Sequence, residues 1–278
     1  MDLLEGRTAV VTGAANGIGL ATAHRLARVG MGVVLADIDR PRLEQATAEL
    51  RTAGHQVLAV PTDVSDASQV DALAGAAWDT FGAVHLLCNN AGVGWTGPLW
   101  TATPNDWAWV LGVNLDGTIR GIRSFVPRML EEGAPGHIVN LSSMAGLAAP
   151  PGLGPYAASK HAVVGLSESL AHDLQGVGAP ISVTVICPGV VATDIANAER
   201  HRPDRFTNPT PAPSPTSAPD IDPTDPSLGV LVPISPDEVA EQLLRAVRDD
   251  RFLVLTHQQA AEHLVRTHLD SLLAEPPP

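Results

Sequence analysis

The strongest constraint on how this chain folds is its rhythm. Short β-branched runs alternate with longer helix-like segments. "TAVVTG" is followed by a helix from about residue 17, "GVVLAD" by "RPRLEQATAELRTAG", and "QVLAV" by "DASQVDALAGAAWDTFG", before "VHLLCNN" opens the next round. "HIVNLSS", "ISVTVIC" and "RFLVLT" read as further strands, with helices expected at roughly 104–132, 156–176, 236–249 and 257–273. Strands this apolar need cover on both faces, which favours a parallel sheet between two layers of helices. The expectation is a single α/β domain over residues 1–278, doubly wound, with helices on both faces of a parallel sheet.

One stretch breaks the pattern. Between His201 and Pro236 lie ten of the 24 prolines, and no apolar periodicity survives there to build a core element. Residues 196–236 therefore read as a Pro-rich loop inside the domain, either an excursion without a packing role or a substrate lid.

Thirty acidic residues against 17 basic ones give a formal net charge of −13, and no cluster of Lys and Arg is present to neutralise phosphates. Nucleic acid and anionic membrane are poor partners on that account. No apolar run approaches the roughly 18 residues of a spanning helix, and "MDLLEGRTAVVTG" lacks a basic segment leading into a long apolar one, so a cytoplasmic location is expected. Cys88 and Cys187 sit in apolar runs without a C-x-x-C, and read as reduced core residues. His263 and His268 are five apart, on different faces of a helix, and no metal site is expected.

"VVTGAANGIG" places Gly13, Gly17 and Gly19 between the first strand and the first helix. Glycines there let the backbone approach a pyrophosphate, while the helix N-terminus offers N–H donors. The spacing is G-x-x-x-G-x-G rather than G-x-G-x-x-G. The second strand ends at Asp37, where a carboxylate can hold the adenosine ribose hydroxyls and repel a 2′-phosphate. NAD is favoured; Arg40 leaves NADP open. Asp63, after the third strand, either bonds the adenine amino group or caps the turn before Ser65, and its place at a strand end favours the first.

Six segments in order, "TGAANGIG" (12–19), "NNAG" (89–92), "VNLDG" with Asn114, "IVNLSS" with Ser143, "YAASK" with Tyr156 and Lys160, and "PGVVAT" (188–193), carry a resemblance. Over residues 5–195 the chain resembles the Tyr-dependent short-chain dehydrogenase/reductase (SDR) family. The resemblance implies a Rossmann-like fold and an NAD(P)-dependent oxidoreductase that moves hydride between the nicotinamide and an alcohol or ketone. Tyr156 would be the acid-base, Ser143 would bond the same substrate oxygen, Lys160 would hold the nicotinamide ribose, and Asn114 would anchor a water relaying protons from Lys160. The cofactor would be bordered by Gly13, Asn16, Gly17, Ile18, Gly19, Asp37, Ile38, Asp63, Val64, Asn90, Ala91, Gly92, Tyr156, Lys160, Pro188, Gly189, Val191 and Thr193, with Asn89 supporting the sheet.

Physical chemistry agrees with this reading. Tyr156 and Lys160 are i and i+4 on one helix face. A nearby ammonium and a cationic nicotinamide are expected to lower a phenol from its usual value of about 10. Trp95, Met144 and Leu153, with Ser143 and Tyr156, are the expected substrate walls. They are uncharged, so a bulky hydrophobic secondary alcohol or ketone, still a small molecule, is the expected substrate rather than a sugar phosphate or a small hydroxy acid. A homotetramer or homodimer is expected by resemblance. Two other functions stand beside this one: a 3-oxoacyl thioester reductase, disfavoured by Asp37 and the acidic balance, and a non-catalytic NAD-binding scaffold or regulator.

Overall fold

The computed structural model describes residues 4–209 and 232–274. Seven strands, β1 (Thr8–Thr12), β2 (Gly32–Asp37), β3 (Val57–Pro61), β4 (Leu86–Asn89), β5 (Gly136–Leu141), β6 (Ile181–Cys187) and β7 (Leu253–Leu255), form one sheet in the order β3-β2-β1-β4-β5-β6-β7. Every strand pair is parallel.

The expected alternation of faces is visible residue by residue. Val11, Val33 and Leu35 point into one apolar cluster, while Val10, Val34 and Ala36 point into the other. The first cluster is closed by α1 (Gly17–Arg28), α2 (Arg40–Thr52) and α7 (Pro236–Asp249). The second is closed by α3 (Ala67–Phe81), α5 (Asp116–Glu132) and α6 (Gly154–Gly176). Strand order reverses between β1 and β4, so a crevice opens beyond their C-terminal ends, where ligands bind in sheets of this kind.

The single helix expected over 104–132 is two: α4 (Pro104–Asn114) and α5, broken at Leu115. The Asn114 side chain explains the break. Its Oδ1 accepts the Val93 N–H at 2.8 Å, while Nδ2 donates to the Val93 carbonyl and to Ser159 Oγ at 3.0 Å each, tying the helix end to two other segments. A capping box between Thr103 and Asp106 starts α4.

Of the Pro-rich stretch, Ile195–His201 and Asp204–Phe206 form 3₁₀ turns packed on α4, and Ile234 pairs with Val191. Residues 210–231 of that expected loop lie outside the described residues. The last helix, α8 (Gln258–Leu273), follows β7. Among the described residues no helix is long and apolar enough to cross a membrane.

Candidate active site and dinucleotide cleft

The turn after β1 is stitched to the turn after β4. Thr12 Oγ1 accepts the backbone N–H groups of Asn90 (3.0 Å) and Ala91 (3.1 Å), and Asn90 Nδ2 donates to the Thr12 carbonyl at 2.7 Å. Gly13 adopts φ +66°, and a β-carbon there would lie 2.9 Å from the Ala91 Cα. Only glycine lets these two backbones meet. Gly19 packs behind, on Gly13, and Asn16 caps α1 by accepting the Gly17 N–H at 2.7 Å. A helix N-terminus without acidic residues in its first turn thus faces the crevice, as a pyrophosphate requires.

At the end of β2, Asp37 Oδ2 accepts the Ala15 N–H and Oδ1 the Asp39 N–H, each at 2.9 Å. Burial pushes its carboxyl up, opposed by those two hydrogen bonds. Asp63 caps its own turn, Oδ1 accepting from Ser65 N (2.9 Å) and Oγ (2.6 Å), while Oδ2 pairs with Arg205 at 2.6 Å. Ion pairs from Arg42 and Arg200 to Asp194, and a polar contact from His201 Nε2 to Asp39, tie the segment after β6 across this end of the crevice.

Beyond β5 the reactive side chains converge. Tyr156 and Lys160 stand in the first two turns of α6, with Lys160 Nζ 5.7 Å from the Tyr156 ring centroid. Nζ donates to the Leu141 carbonyl at 2.8 Å, and burial pushes the ammonium down to about 8. Asn114 Oδ1 and Lys160 Nζ come within 3.4 and 3.5 Å of the point where a Gly92 β-carbon would sit, so they meet across Gly92. For the phenol the structure reverses the expected direction: burial pushes Tyr156 up, and only its hydrogen bond with Ser143 works the other way. The phenol is enclosed and Cys187 acts in the same upward sense; the cationic nicotinamide invoked in the expectation is no part of the chain.

One cleft collects Gly13, Asn16, Gly17, Ile18, Asp37, Ile38, Asp63, Val64, Asn90, Ala91, Gly92, Ser143, Tyr156, Lys160, Pro188, Gly189, Val191 and Thr193. Gly19 and Asn114 support it from behind. Three expected wall residues do not line it. Met144 opens the 3₁₀ turn Met144–Gly146 and packs on Ala260 and Ala261 of α8. Trp95 packs in the cluster of Val93 and Trp109, and Leu153 sits half-buried at the head of α6. The sequence reading missed Trp109, Arg200 and His201, all of which line the cleft. Trp109 reads as helix packing, which it also is, and the other two fall where no periodicity points inward.

This geometry has known relatives. The sequence profile of the short chain dehydrogenase family matches residues 7–204. The 1-deoxy-11-beta-hydroxypentalenate dehydrogenase of Streptomyces exfoliatus is 38% identical, over 99% of this chain and 92% of that one. A short-chain dehydrogenase/reductase from Burkholderia phymatum, solved in complex with NAD, is 43% identical with a TM-score of 0.90, covering 100% of both chains. Actinorhodin polyketide ketoreductase, solved as a variant with NADPH, is 30% identical with a TM-score of 0.76, over 92% of this chain and 97% of that one. A doubly wound parallel sheet of this order, in a chain matched by these dehydrogenases, is that of an oxidoreductase acting on CH–OH groups. The chain belongs to the short-chain dehydrogenase/reductase family.

Proposed function

We propose that the protein is an NAD-dependent dehydrogenase or reductase of a hydrophobic secondary alcohol or ketone. The observation that carries the reading is the convergence of Ser143, Tyr156 and Lys160 on the cleft that the glycine turn opens. The residues fit a dinucleotide: the Gly13 cradle that a β-carbon would fill, the open N-terminus of α1, and a carboxylate at the end of β2. When bound, NAD supplies the hydride acceptor.

The chain's own groups do the rest. Ser143 Oγ and the Tyr156 hydroxyl grip the substrate oxygen, stabilising the charge that develops on it. Tyr156 takes the alcohol proton in oxidation and returns it in reduction. Lys160, poised near 8, holds the ribose hydroxyls and favours the phenolate through its charge. Asn114 fixes Val93 and Ser159 around Lys160 and holds the relay water. Val93, Val191, Ile195 and Ala198 make the reachable walls apolar, and the hydroxypentalenate named for one relative supports a compact, largely hydrocarbon substrate. Two buried, unpaired cysteines fit a reducing compartment such as the cytoplasm. A homodimer or homotetramer belongs to the same reading, supported by the exposed Leu269, Leu272 and Leu273 of α8.

Incubation with NAD or NADP and a panel of alicyclic, steroid and aryl alcohols, followed by the absorbance of reduced nicotinamide, tests the reading. Tight NAD binding without turnover of any alcohol or ketone would replace it with a scaffold. Asp37→Ala is expected to erode discrimination against NADP, because the half-buried carboxylate lining the cleft is what a 2′-phosphate would meet. An unchanged ratio of kcat/KM for the two nucleotides removes the ribose assignment.

A further inference from the structure

The loop beside the catalytic serine is held from outside the site. His257, the residue preceding α8, lies flat against Gly189: a β-carbon at Gly189 would sit 2.6 Å from the imidazole Nδ1 and 3.0 Å from Cγ. Its hydrogen bonds run in one sense. The Val232 carbonyl, 2.8 Å from Nε2, can only accept, so Nε2 carries the proton. In the Nε2–H tautomer Nδ1 accepts from the Thr256 hydroxyl at 2.9 Å, and Thr256 Oγ accepts the Gly189 N–H at 3.2 Å.

The next link reaches the reacting centre. The Pro188 carbonyl accepts the Met144 N–H at 2.8 Å and lies 3.5 Å from Ser143 Oγ, the hydroxyl that works to lower the buried Tyr156 phenol. Ala192 N–H and Ile234 N–H close the same junction onto the Ile234 and Val190 carbonyls, at 3.0 and 3.1 Å. A sharp turn between β6 and the cleft would otherwise have nothing rigid behind it, since Gly189 contributes no side chain.

We propose that His257 and Thr256 form a positioning relay that fixes the Pro188–Gly189 turn and, through the Pro188 carbonyl, the rotamer and place of Ser143 beside Tyr156. His257 does not touch substrate. It replaces the side chain that Gly189 lacks, and it fastens the returning chain at Val232 to the nicotinamide side of the cleft. The relay rests on the reading of Ser143 and Tyr156 given above, and its test has a readout that needs no substrate.

Tyr156 is the one tyrosine of the chain, so tyrosinate absorbance titrates it alone. In the ligand-free protein, with circular dichroism monitoring the fold, the wild type should titrate above about 10. Ser143→Ala should titrate higher still, having lost the hydrogen bond that opposes burial. His257→Ala and Thr256→Val should move the titration the same way by part of that amount. They should also lower kcat about tenfold, as a misplaced serine does, with NAD affinity held. His257→Gln, whose amide can donate to Val232 and accept from Thr256, should recover part of both. Wild-type titration in His257→Ala and Thr256→Val, or a loss confined to melting temperature, overturns the relay. If no alcohol is turned over yet the titration still moves, the relay stands and the alcohol reading falls.

Discussion

Tyr156→Phe is expected to lower kcat by between about a hundredfold and ten-thousandfold, the usual contribution of a positioned acid-base, while NAD affinity changes little. The phenyl ring keeps its packing, and only the oxygen that shares the substrate with Ser143 is lost. The chain has no second tyrosine to substitute, and Lys160, held by Leu141 behind the ring, is poorly placed to reach the alcohol. The rate of alcohol oxidation in the wild type should rise with pH, because the group that takes the proton must first lose its own. Stopped-flow and steady-state rates with fluorescence titration of NAD check both halves. A Tyr156→Phe protein with most of its turnover would remove the phenol from the mechanism.

Asp106→Ala should be the most destabilising single change outside the sheet. Asp106 and Arg202 are buried as a pair, with side chains 4% and 6% exposed, 2.8 Å apart, and the guanidinium stacks 4.2 Å over Trp109. The same carboxylate accepts from Asn208 at 3.0 Å and from the Thr103 N–H at 2.9 Å. Removing it leaves the buried guanidinium with only the exposed Glu199 carboxylate and the Phe206 carbonyl, and opens the capping box, at a cost of about 3 kcal/mol. A thermal melt should fall by roughly 10 °C. Hydrogen exchange should rise first across 195–208, whose ties to α4 include this carboxylate, and NAD affinity should weaken as Arg200 and His201 leave the cleft.

The pH dependence has a defined sign. Burial acts to raise the Asp106 carboxyl, but hydrogen bonds from Thr103, Arg202 and Asn208 outweigh it and hold the group low. A depressed acid stabilises the fold above its unfolded value of about 3.9 and loses that contribution as pH falls through the lower, folded one. Wild type and Asp106→Ala should therefore converge in acid and differ most near neutrality. A melting curve in which the two stay equally far apart at every pH would show that the carboxylate is not the source.

Much of this architecture was legible because strand and helix periods are local. Val10 and Val11 point to opposite clusters by the pleat alone, and α7 matches its expected bounds because its capping box and amphipathic face are written in adjacent residues. The crevice residues were legible too, since glycines and strand-end carboxylates have few other uses in that order. What sequence could not reveal depends on contacts far apart in the chain. The break at Leu115 follows from Asn114 reaching Val93 and Ser159, and Met144 packs on α8, over a hundred residues later in the chain. Arg202 and Arg205 lie amid prolines where no pattern distinguishes a buried guanidinium from a solvated one. Their partners, Asp106 and Asp63, come from α4 and the β3 turn.

The excursion after β6 is fastened where it leaves and where it returns. Asn208 holds to Asp106 and Thr103 on departure, and Ile234 locks between Val190 and Ala192 on re-entry. Both fastenings bear on residues that line the cleft: the first holds the 195–208 segment that carries Arg200 and His201, and the second adjoins Val191, so the rim is set from its two ends like a hem stitched at both edges.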